Sequence, residues 1–154
     1  MLTYVDTKVV FAEVPNEITL AINIASCPCK CKGCHSSYLS EDIGDPLLPV
    51  VLETLIDSNK GITCVAFMGG DAEPREIAKL AWFVKLVFPD LKVAWYSGRE
   101  GLPGRIELNI HNFDYIKLGP YKEECGPLNS KTTNQRFYKV VDNSLVDITE
   151  TFWN

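Results

Sequence analysis

The chain has 154 residues, of which 46% are hydrophobic and 23% charged, and its formal net charge is −5. This is the length of one domain and too apolar a composition for a disordered chain, so we predict a single domain over residues 1–154. The acidic balance disfavours binding to nucleic acid, and no apolar run approaches the roughly 18 residues of a membrane span.

The first half of the chain alternates strand and helix patterns. Residues 17–25, EITLAINIA, place large aliphatic residues at every second position, which predicts a strand. Residues 49–59 carry an apolar stripe of helical spacing after Pro49, a residue suited to a first helical turn. The stretch ITCVAFMGGD, residues 62–71, then predicts a buried strand that ends in a glycine turn.

The second half continues this alternation. Residues 73–89 predict a helix that ends at Pro89, and residues 91–98, LKVAWYSG, predict a third strand. A fourth strand is predicted in FDYIKLG, residues 113–119, whereas residues 103–111 show no clear pattern. The stretch RFYKVVDNSLVDIT, residues 136–149, predicts a hairpin that turns near Asp142 and Asn143.

Alternating strands and helices indicate an α/β fold with right-handed crossovers and a mostly parallel sheet. A full barrel of eight such units takes about 250 residues, so we expect a partial, open TIM-like βα barrel. Ligands of such sheets bind at the carboxyl ends of the strands. The segments that follow the first three predicted strands should therefore lie together at one edge.

The segment after the first predicted strand is SCPCKCKGCH, residues 26–35. Within it, Cys27, Cys31 and Cys34 have the spacing C-x3-C-x2-C. Three thiolates can bind three irons of a four-iron cluster and leave the fourth iron open for a substrate, whereas electron-transfer clusters are closed by four cysteines. The amino terminus lacks the pattern of a signal peptide, so we expect a cytoplasmic protein whose cysteines stay reduced.

Other ligand sets are compatible with the same segment. A zinc site could take four ligands from its cysteines, including Cys29, and from His35. A closed cluster could recruit Cys125 as its fourth ligand, whereas Cys64 lies within a predicted strand and is expected to be a buried thiol. Structural zinc sites usually pair two ligand groups a dozen or more residues apart, and the sequence has no second such group.

The spacing of Cys27, Cys31 and Cys34 after a first strand resembles that of the radical S-adenosylmethionine (SAM) enzymes. The resemblance implies a [4Fe–4S] cluster bound by these three cysteines, with the methionine part of SAM on the open iron. In that family an electron from the cluster cleaves SAM to a 5′-deoxyadenosyl radical. Cys29 has no counterpart in the motif and is interpreted as a spectator.

Two further residues within the motif indicate one group of radical SAM proteins. The pattern C-x-x-K-C-x-G-C, with Lys30 and Gly33, resembles the activating proteins of anaerobic ribonucleoside-triphosphate reductase, which are similarly small. The resemblance covers about residues 17–141. It implies an oxidoreductase that generates a glycyl radical on the large reductase subunit, with an electron donor such as flavodoxin. An incomplete barrel would leave a lateral opening for the glycine loop of that partner.

Two later segments resemble SAM-binding elements of this family. Gly69, Gly70 and Asp71 correspond to its GGE motif, with aspartate in place of glutamate, where the backbone of the turn holds the amino group of SAM. The segment Trp95–Gly98 resembles a Y-[ST]-G element near the SAM ribose and carboxylate, which implies a cofactor contact for Ser97.

A third element lies near the carboxyl terminus. Residues 133–136, TNQR, resemble the S/T-x-N-Q-R element of the activases, and we assign a cofactor contact to Asn134. Arg136 could pair with a carboxylate, either of SAM or of the partner protein. Many relatives carry an acidic residue where this chain has Lys117 and Leu118, so neither residue receives a role.

Two further functions fit the sequence less closely. The chain could be another small radical SAM enzyme, either an activase of a different glycyl-radical enzyme or a 7-carboxy-7-deazaguanine synthase. It could also be an iron–sulfur or zinc binding module without catalytic activity.

Overall fold

The structure, a computed structural model, describes residues 2–25, 44–104 and 110–153. In these ranges eight strands form one sheet, and two α-helices and two short 3-10 helices accompany it. The strands are β1 (Thr3–Val10), β2 (Thr19–Ile24), β3 (Asp45–Pro46), β4 (Cys64–Met68), β5 (Lys92–Tyr96), β6 (Tyr115–Leu118), β7 (Arg136–Val141) and β8 (Ser144–Asp147). The helices are α1 (Pro49–Asp57) and α2 (Pro74–Val87), and the 3-10 helices are Ile110–Asn112 and Thr149–Phe152.

The strand order in the sheet is β3-β1-β2-β4-β5-β6-β7-β8. The four central strands β2, β4, β5 and β6 run parallel and follow one another in chain order. The outer strands β1 and β3 on one side and β7 and β8 on the other pair antiparallel. The described part of the chain is therefore a mixed α/β fold whose sheet is partly parallel, rather than mostly parallel as expected, and is not closed.

Both helices pack on one face of the sheet, which we call the helix face. Large apolar side chains of alternate strand positions, such as Ile22, Phe67 and Trp95, meet Leu52 of α1 and Leu80 of α2 there. All five are essentially inaccessible to solvent. The helix face thus holds the larger hydrophobic core, whose burial supplies most of the stabilising free energy.

The other face carries smaller side chains, and we call it the alanine face. Ala21, Ala66 and Ala94 lie side by side on β2, β4 and β5, because the parallel register aligns them. Val14, from the connection between β1 and β2, packs with Phe137 of β7 in a second apolar cluster on this face. Alanines in neighbouring strands let covering segments approach the sheet backbone closely.

Several predicted elements are confirmed. The strands and helices expected in residues 17–25, 49–59, 62–71, 73–89 and 91–98 are all present within those ranges. The predicted hairpin is formed by β7 and β8, and Asp142 and Asn143 have positive φ angles of 51° and 62° in its turn. Strand β1 had no assignment from the sequence; it covers one side of β2, which leaves β2 inside the sheet.

Polar contacts also tie the amino-terminal ends of the parallel strands. Lys85 of α2 donates from its Nζ to Oδ2 of Asp114 over 2.5 Å, and the backbone N–H of Val93 donates to the same oxygen over 2.9 Å. These bonds join α2 to the start of β5 and to Asp114, the residue directly before β6. The helices of the described residues are all too short or too polar to cross a membrane.

Candidate functional site

The carboxyl ends of β2, β4, β5 and β6 lie at one edge of the sheet because the four strands are parallel. We call this the carboxyl edge. Three turns follow its strands within the described residues: Gly69–Asp71 after β4, Ser97–Arg99 after β5 and Gly119–Pro120 after β6. The expected gathering of the Gly-Gly-Asp and Tyr-Ser-Gly segments at one edge is therefore confirmed.

The turn after β4 requires glycine at two successive positions. Gly69 and Gly70 have φ angles of 113° and 90°, which side-chain-bearing residues rarely adopt. A Cβ atom on Gly69 would lie 3.3 Å from the carbonyl oxygen of Ile24, and one on Gly70 would lie 2.5 Å from Cδ1 of the buried Ile77. The turn therefore packs directly against the end of β2, three residues before Cys27.

Backbone and side-chain bonds hold this turn in one position. The N–H of Gly69 donates to the carbonyl of Tyr96 over 3.0 Å, which continues the ladder between β4 and β5. The indole Nε1 of the buried Trp95 donates to the carbonyl of Gly69 over 2.7 Å. A carbonyl oxygen has two acceptor positions, so this bond leaves Gly69 able to accept another donor.

Asp71 and Ser97, two of the predicted cofactor contacts, bind each other. The Ser97 hydroxyl donates to Oδ1 of Asp71 over 2.5 Å, and the N–H of Gly98 donates to Oδ2 over 2.8 Å. Asp71 and Ser97 are both 0% exposed. Their side chains therefore join the turn after β4 to the turn after β5.

Arg99 reinforces the same junction from the surface. Its Nη2 donates to the backbone carbonyl of Asp71 over 2.8 Å, and its Nε lies 3.9 Å from Oδ1 of Asp71. The backbone N–H of Arg99 donates to the Ser97 hydroxyl over 3.1 Å. The guanidinium is about half exposed, so the ion pair is partly screened by water and the hydrogen bond is the firmer contact.

Lys117 is a functional candidate that the sequence reasoning left without a role. It is 8% exposed on the alanine face, and its Nζ donates to the carbonyls of Ser97 and Gly119, each over 3.0 Å. The Nζ also lies 5.7 Å from the centroid of the Tyr96 ring. A lysine inside the buried strand YIKL was the available signal, because lysine is rarely buried without partners.

The segment before β7 completes this edge. The N–H of Gly119 donates to the carbonyl of Arg99 over 2.6 Å, and Nε2 of Gln135 donates to the carbonyl of Gly119 over 3.3 Å. The predicted contact residue Asn134 donates from Nδ2 to the carbonyl of Pro120 over 2.9 Å. Its Oδ1 is buried without a hydrogen-bond partner in the described structure, so it can accept a further donor.

Arg136 lies outside this set of contacts. Its Nη1 is 3.7 Å from Oδ2 of Asp147 on the neighbouring strand β8, and both side chains are more than 40% exposed. In the described structure Arg136 thus pairs with a carboxylate of its own chain, as a water-screened pair of the hairpin, and its pairing with SAM or with a partner protein stays a prediction.

The predicted iron ligands Cys27, Cys31 and Cys34, together with Cys29, lie outside the described residues. Of the cysteines within them, Cys64 is fully buried, as expected, and burial raises the pKa of its thiol to about 12. A thiol with so high a pKa is a poor metal ligand at neutral pH, because the thiolate is the binding form. Cys125 is a partly exposed free thiol.

The described ranges contain no group of three or more side chains able to hold a metal ion. At the carboxyl edge they contain fixed backbone groups and buried polar side chains around the three turns. Comparison with known proteins adds no further constraint, since no family model, curated protein or solved structure matches this chain.

Proposed function

We propose that this chain is a radical SAM activase that generates the glycyl radical of anaerobic ribonucleoside-triphosphate reductase. The observation that carries the proposal is the C-x3-C-x2-C motif of Cys27, Cys31 and Cys34, which begins three residues after the end of β2. Strand β2 ends beside the Gly69–Gly70 turn, which resembles the family's SAM-binding element. The strand that leads into the cysteine motif therefore ends next to that turn.

The topology supports a partial, open TIM-like barrel as the finer description of the fold. The four parallel strands are neighbours in chain order, and α1 and α2 cover the same face of the sheet. Successive strands with helices on one face are the arrangement of a barrel segment, whereas doubly wound sheets have helices on both faces. Sites of βα barrels lie at the carboxyl ends of the strands, where the three turns after β4, β5 and β6 lie.

The residues of the carboxyl edge fit a cluster with SAM. Thiolates at the spacing of the three cysteines suit a four-iron cluster with one open iron. Gly70 is buried and Gly69 is partly exposed, and the carbonyl of Gly69 keeps one acceptor position for an ammonium donor. The buried, unpaired Oδ1 of Asn134 is a second acceptor near this edge.

In this proposal Cys27, Cys31 and Cys34 hold the [4Fe–4S] cluster, and the backbone of Gly69 and Gly70 binds the amino group of SAM. The bound cluster and SAM would supply the chemistry, a one-electron cleavage of SAM to methionine and a 5′-deoxyadenosyl radical that would take a hydrogen atom from the partner's glycine. The chain's own residues place and orient this pair. Asp71 and Ser97 connect the two turns beside it.

A protein substrate is consistent with the described part of the chain, which consists of one open sheet with two α-helices on one of its faces. The open sheet leaves access from the side for a glycine loop of the reductase. The required electron would come from a low-potential donor such as flavodoxin in the cytoplasm.

The test is anaerobic reconstitution with iron and sulfide, followed by addition of SAM and dithionite. We expect a four-iron cluster whose electron paramagnetic resonance (EPR) signal changes with SAM, and release of 5′-deoxyadenosine that requires dithionite. A zinc or closed-cluster binding module would give neither response, and that result would contradict the proposal. Formation of a glycyl radical on the reductase separates the activase from other small radical SAM enzymes.

A further inference from the structure

Both oxygens of the Asp71 carboxylate already accept hydrogen bonds within the chain. One accepts from the Ser97 hydroxyl over 2.5 Å and the other from the N–H of Gly98 over 2.8 Å. Because Asp71 is 0% exposed, a cofactor could reach this carboxylate only by displacing the groups packed around it, these two donors among them. A buried carboxylate that loses its donors is strongly destabilised, so such a displacement is unfavourable.

Ser97 is engaged to the same extent. Its hydroxyl donates to Asp71 and accepts from the backbone N–H of Arg99 over 3.1 Å, and its side chain is completely buried. Its carbonyl accepts from Nζ of Lys117, which bonds the carbonyl of Gly119 as well. The hydroxyl is thus directed away from solvent, toward the junction of the two turns.

We propose that Asp71 is a positioning residue that acts through Ser97 and Gly98, so that the turn after β5 is held at a fixed distance from the Gly-Gly turn. This inference rests on the proposed function, in which that turn binds SAM. It differs from the resemblance, which placed Ser97 in contact with the cofactor. The groups presented to SAM are then peptide groups, and the side chains of Asp71 and Ser97 determine where those groups lie.

The same geometry explains why aspartate stands where the family motif has glutamate. The short side chain of Asp71 brings its two oxygens within hydrogen-bond distance of both Ser97 and Gly98. Glutamate is longer than aspartate by one methylene group, and Asp71 is completely buried. Adding a methylene group at a buried position forces neighbouring atoms to shift. Asp71 and Ser97 are therefore a matched pair: the length of one side chain suits the position of the other.

The test is a double-mutant cycle with Asp71→Asn, Ser97→Ala and the double variant, each reconstituted with its cluster. SAM is the probe, and its dissociation constant is measured by equilibrium binding. We expect each single change to weaken binding about 10-fold and the double variant to be about 10-fold weaker as well, because both changes break one shared contact. Asp90→Asn, at an exposed position before β5, is the matched control and should bind SAM normally.

Hydrogen exchange at Gly98 supplies a readout that does not depend on the cluster or on activity. Its N–H bonds the Asp71 carboxylate, so Asp71→Asn should speed exchange at Gly98, whereas Asp90→Asn should not. Ser97→Thr keeps the hydroxyl and should restore most of the SAM affinity that Ser97→Ala loses. Thermal unfolding of each variant separates these local effects from global destabilisation, and Ser97→Ala remains informative if Asp71→Asn does not fold.

Other outcomes would contradict either the positioning role of Asp71 or the proposed function. Multiplying effects, about 100-fold in the double variant, would mean that Asp71 and Ser97 contact SAM separately. Unchanged affinity in the single variants, or tighter binding by Asp71→Glu, would overturn the positioning role while leaving the proposed function intact. A wild-type cluster that does not bind SAM would overturn the proposed function itself.

Discussion

The two edges of the parallel strands use similar hydrogen bonds but join different parts of the chain. At the amino-terminal edge, the half-buried pair of Lys85 and Asp114 ties a helix to the sheet. At the carboxyl edge, the buried side chains of Asp71, Ser97 and Lys117 tie one turn to the next. Burying polar groups is costly unless they are paired, and the side chains of Asp71, Ser97 and Lys117 are all paired. The carboxyl edge therefore joins two turns through fully buried groups, whereas the amino-terminal edge joins a helix to the sheet through a partly exposed pair.

The largest effect should come from the cysteines associated with the two edges. Cys27 follows the carboxyl edge, whereas Cys64 begins β4 at the opposite end and is fully buried. Cys27→Ala should abolish the four-iron cluster and reduce 5′-deoxyadenosine release more than about 100-fold, since a cluster ligand is lost. Cys64→Ala should retain both the four-iron cluster and the release of 5′-deoxyadenosine. Iron content and nucleoside release measure the contrast, and cluster loss in Cys29→Ala but not in Cys27→Ala would show that the ligand assignment is wrong.

The next largest effect should come from glycine replacement. Gly70→Ala introduces both an unfavourable positive φ angle and a contact of 2.5 Å with the buried Ile77. Together these should lower the free energy of unfolding by about 2–4 kcal/mol. Gly61→Ala is the matched control: its φ angle is 91° but no atom lies within 4 Å of its Cβ, so only about 1 kcal/mol should be lost.

Chemical denaturation of the two glycine variants measures this difference. Equal losses at the two positions would mean that the turn after β4 can move away from α2. The close packing of Gly70 against Ile77, on which the position of the turn depends, would then be incorrect.

Replacing the two lysines that join elements at the two edges should change the free energy of unfolding by smaller amounts. Lys117→Met removes the donor of two buried carbonyls, those of Ser97 and Gly119, and should lower the free energy of unfolding by about 1–3 kcal/mol. Lys85→Met breaks a pair whose side chains are about one quarter exposed, which is worth about 1 kcal/mol after screening by water. Only Lys117→Met should also weaken SAM binding, because only Lys117 contacts the turns of the carboxyl edge.

The smallest effect on stability at neutral pH is expected from ionisation of the Cys64 thiol. Its pKa is raised by burial from 9.0 to about 12 in the folded protein, so the unfolded chain releases this proton first. Stability is therefore unaffected at neutral pH and falls as the pH rises through about 9, by up to about 1.4 kcal/mol per pH unit. Urea denaturation between pH 8 and pH 10.5 should show a shallower loss for Cys64→Ala than for the wild type. Identical slopes would contradict the buried, protonated thiol.

Local patterns were sufficient for most of the fold. The alternation in residues 17–25 and the helical stripe in residues 73–89 each reflect burial on one face, and both elements are present. The Asp142–Asn143 turn was predictable because few residues adopt positive φ angles readily. Strand β1 was not assigned, and with it the antiparallel side of the sheet; its pairing with β3 joins residues far apart in sequence, such as Thr3 and Pro46.

The candidate site was predictable as a set of positions but not as a set of contacts. Parallel strands bring the ends of β4 and β5 together whatever their side chains, so the neighbourhood of Gly69 and Ser97 followed from the strand pattern alone. The bond between Asp71 and Ser97 depends on side-chain length and direction across 26 positions, which no local pattern encodes. For the same reason, Lys117 was recognised only from its burial and its bonds to two carbonyls.

The most direct test of the central claim mixes the reconstituted protein, SAM and dithionite anaerobically with the candidate reductase and records the EPR spectrum. We predict a stable glycyl radical on the reductase that requires SAM and is absent with Cys27→Ala. SAM-dependent release of 5′-deoxyadenosine without a glycyl radical would contradict the activase assignment. The absence of both would contradict radical SAM chemistry in this chain altogether.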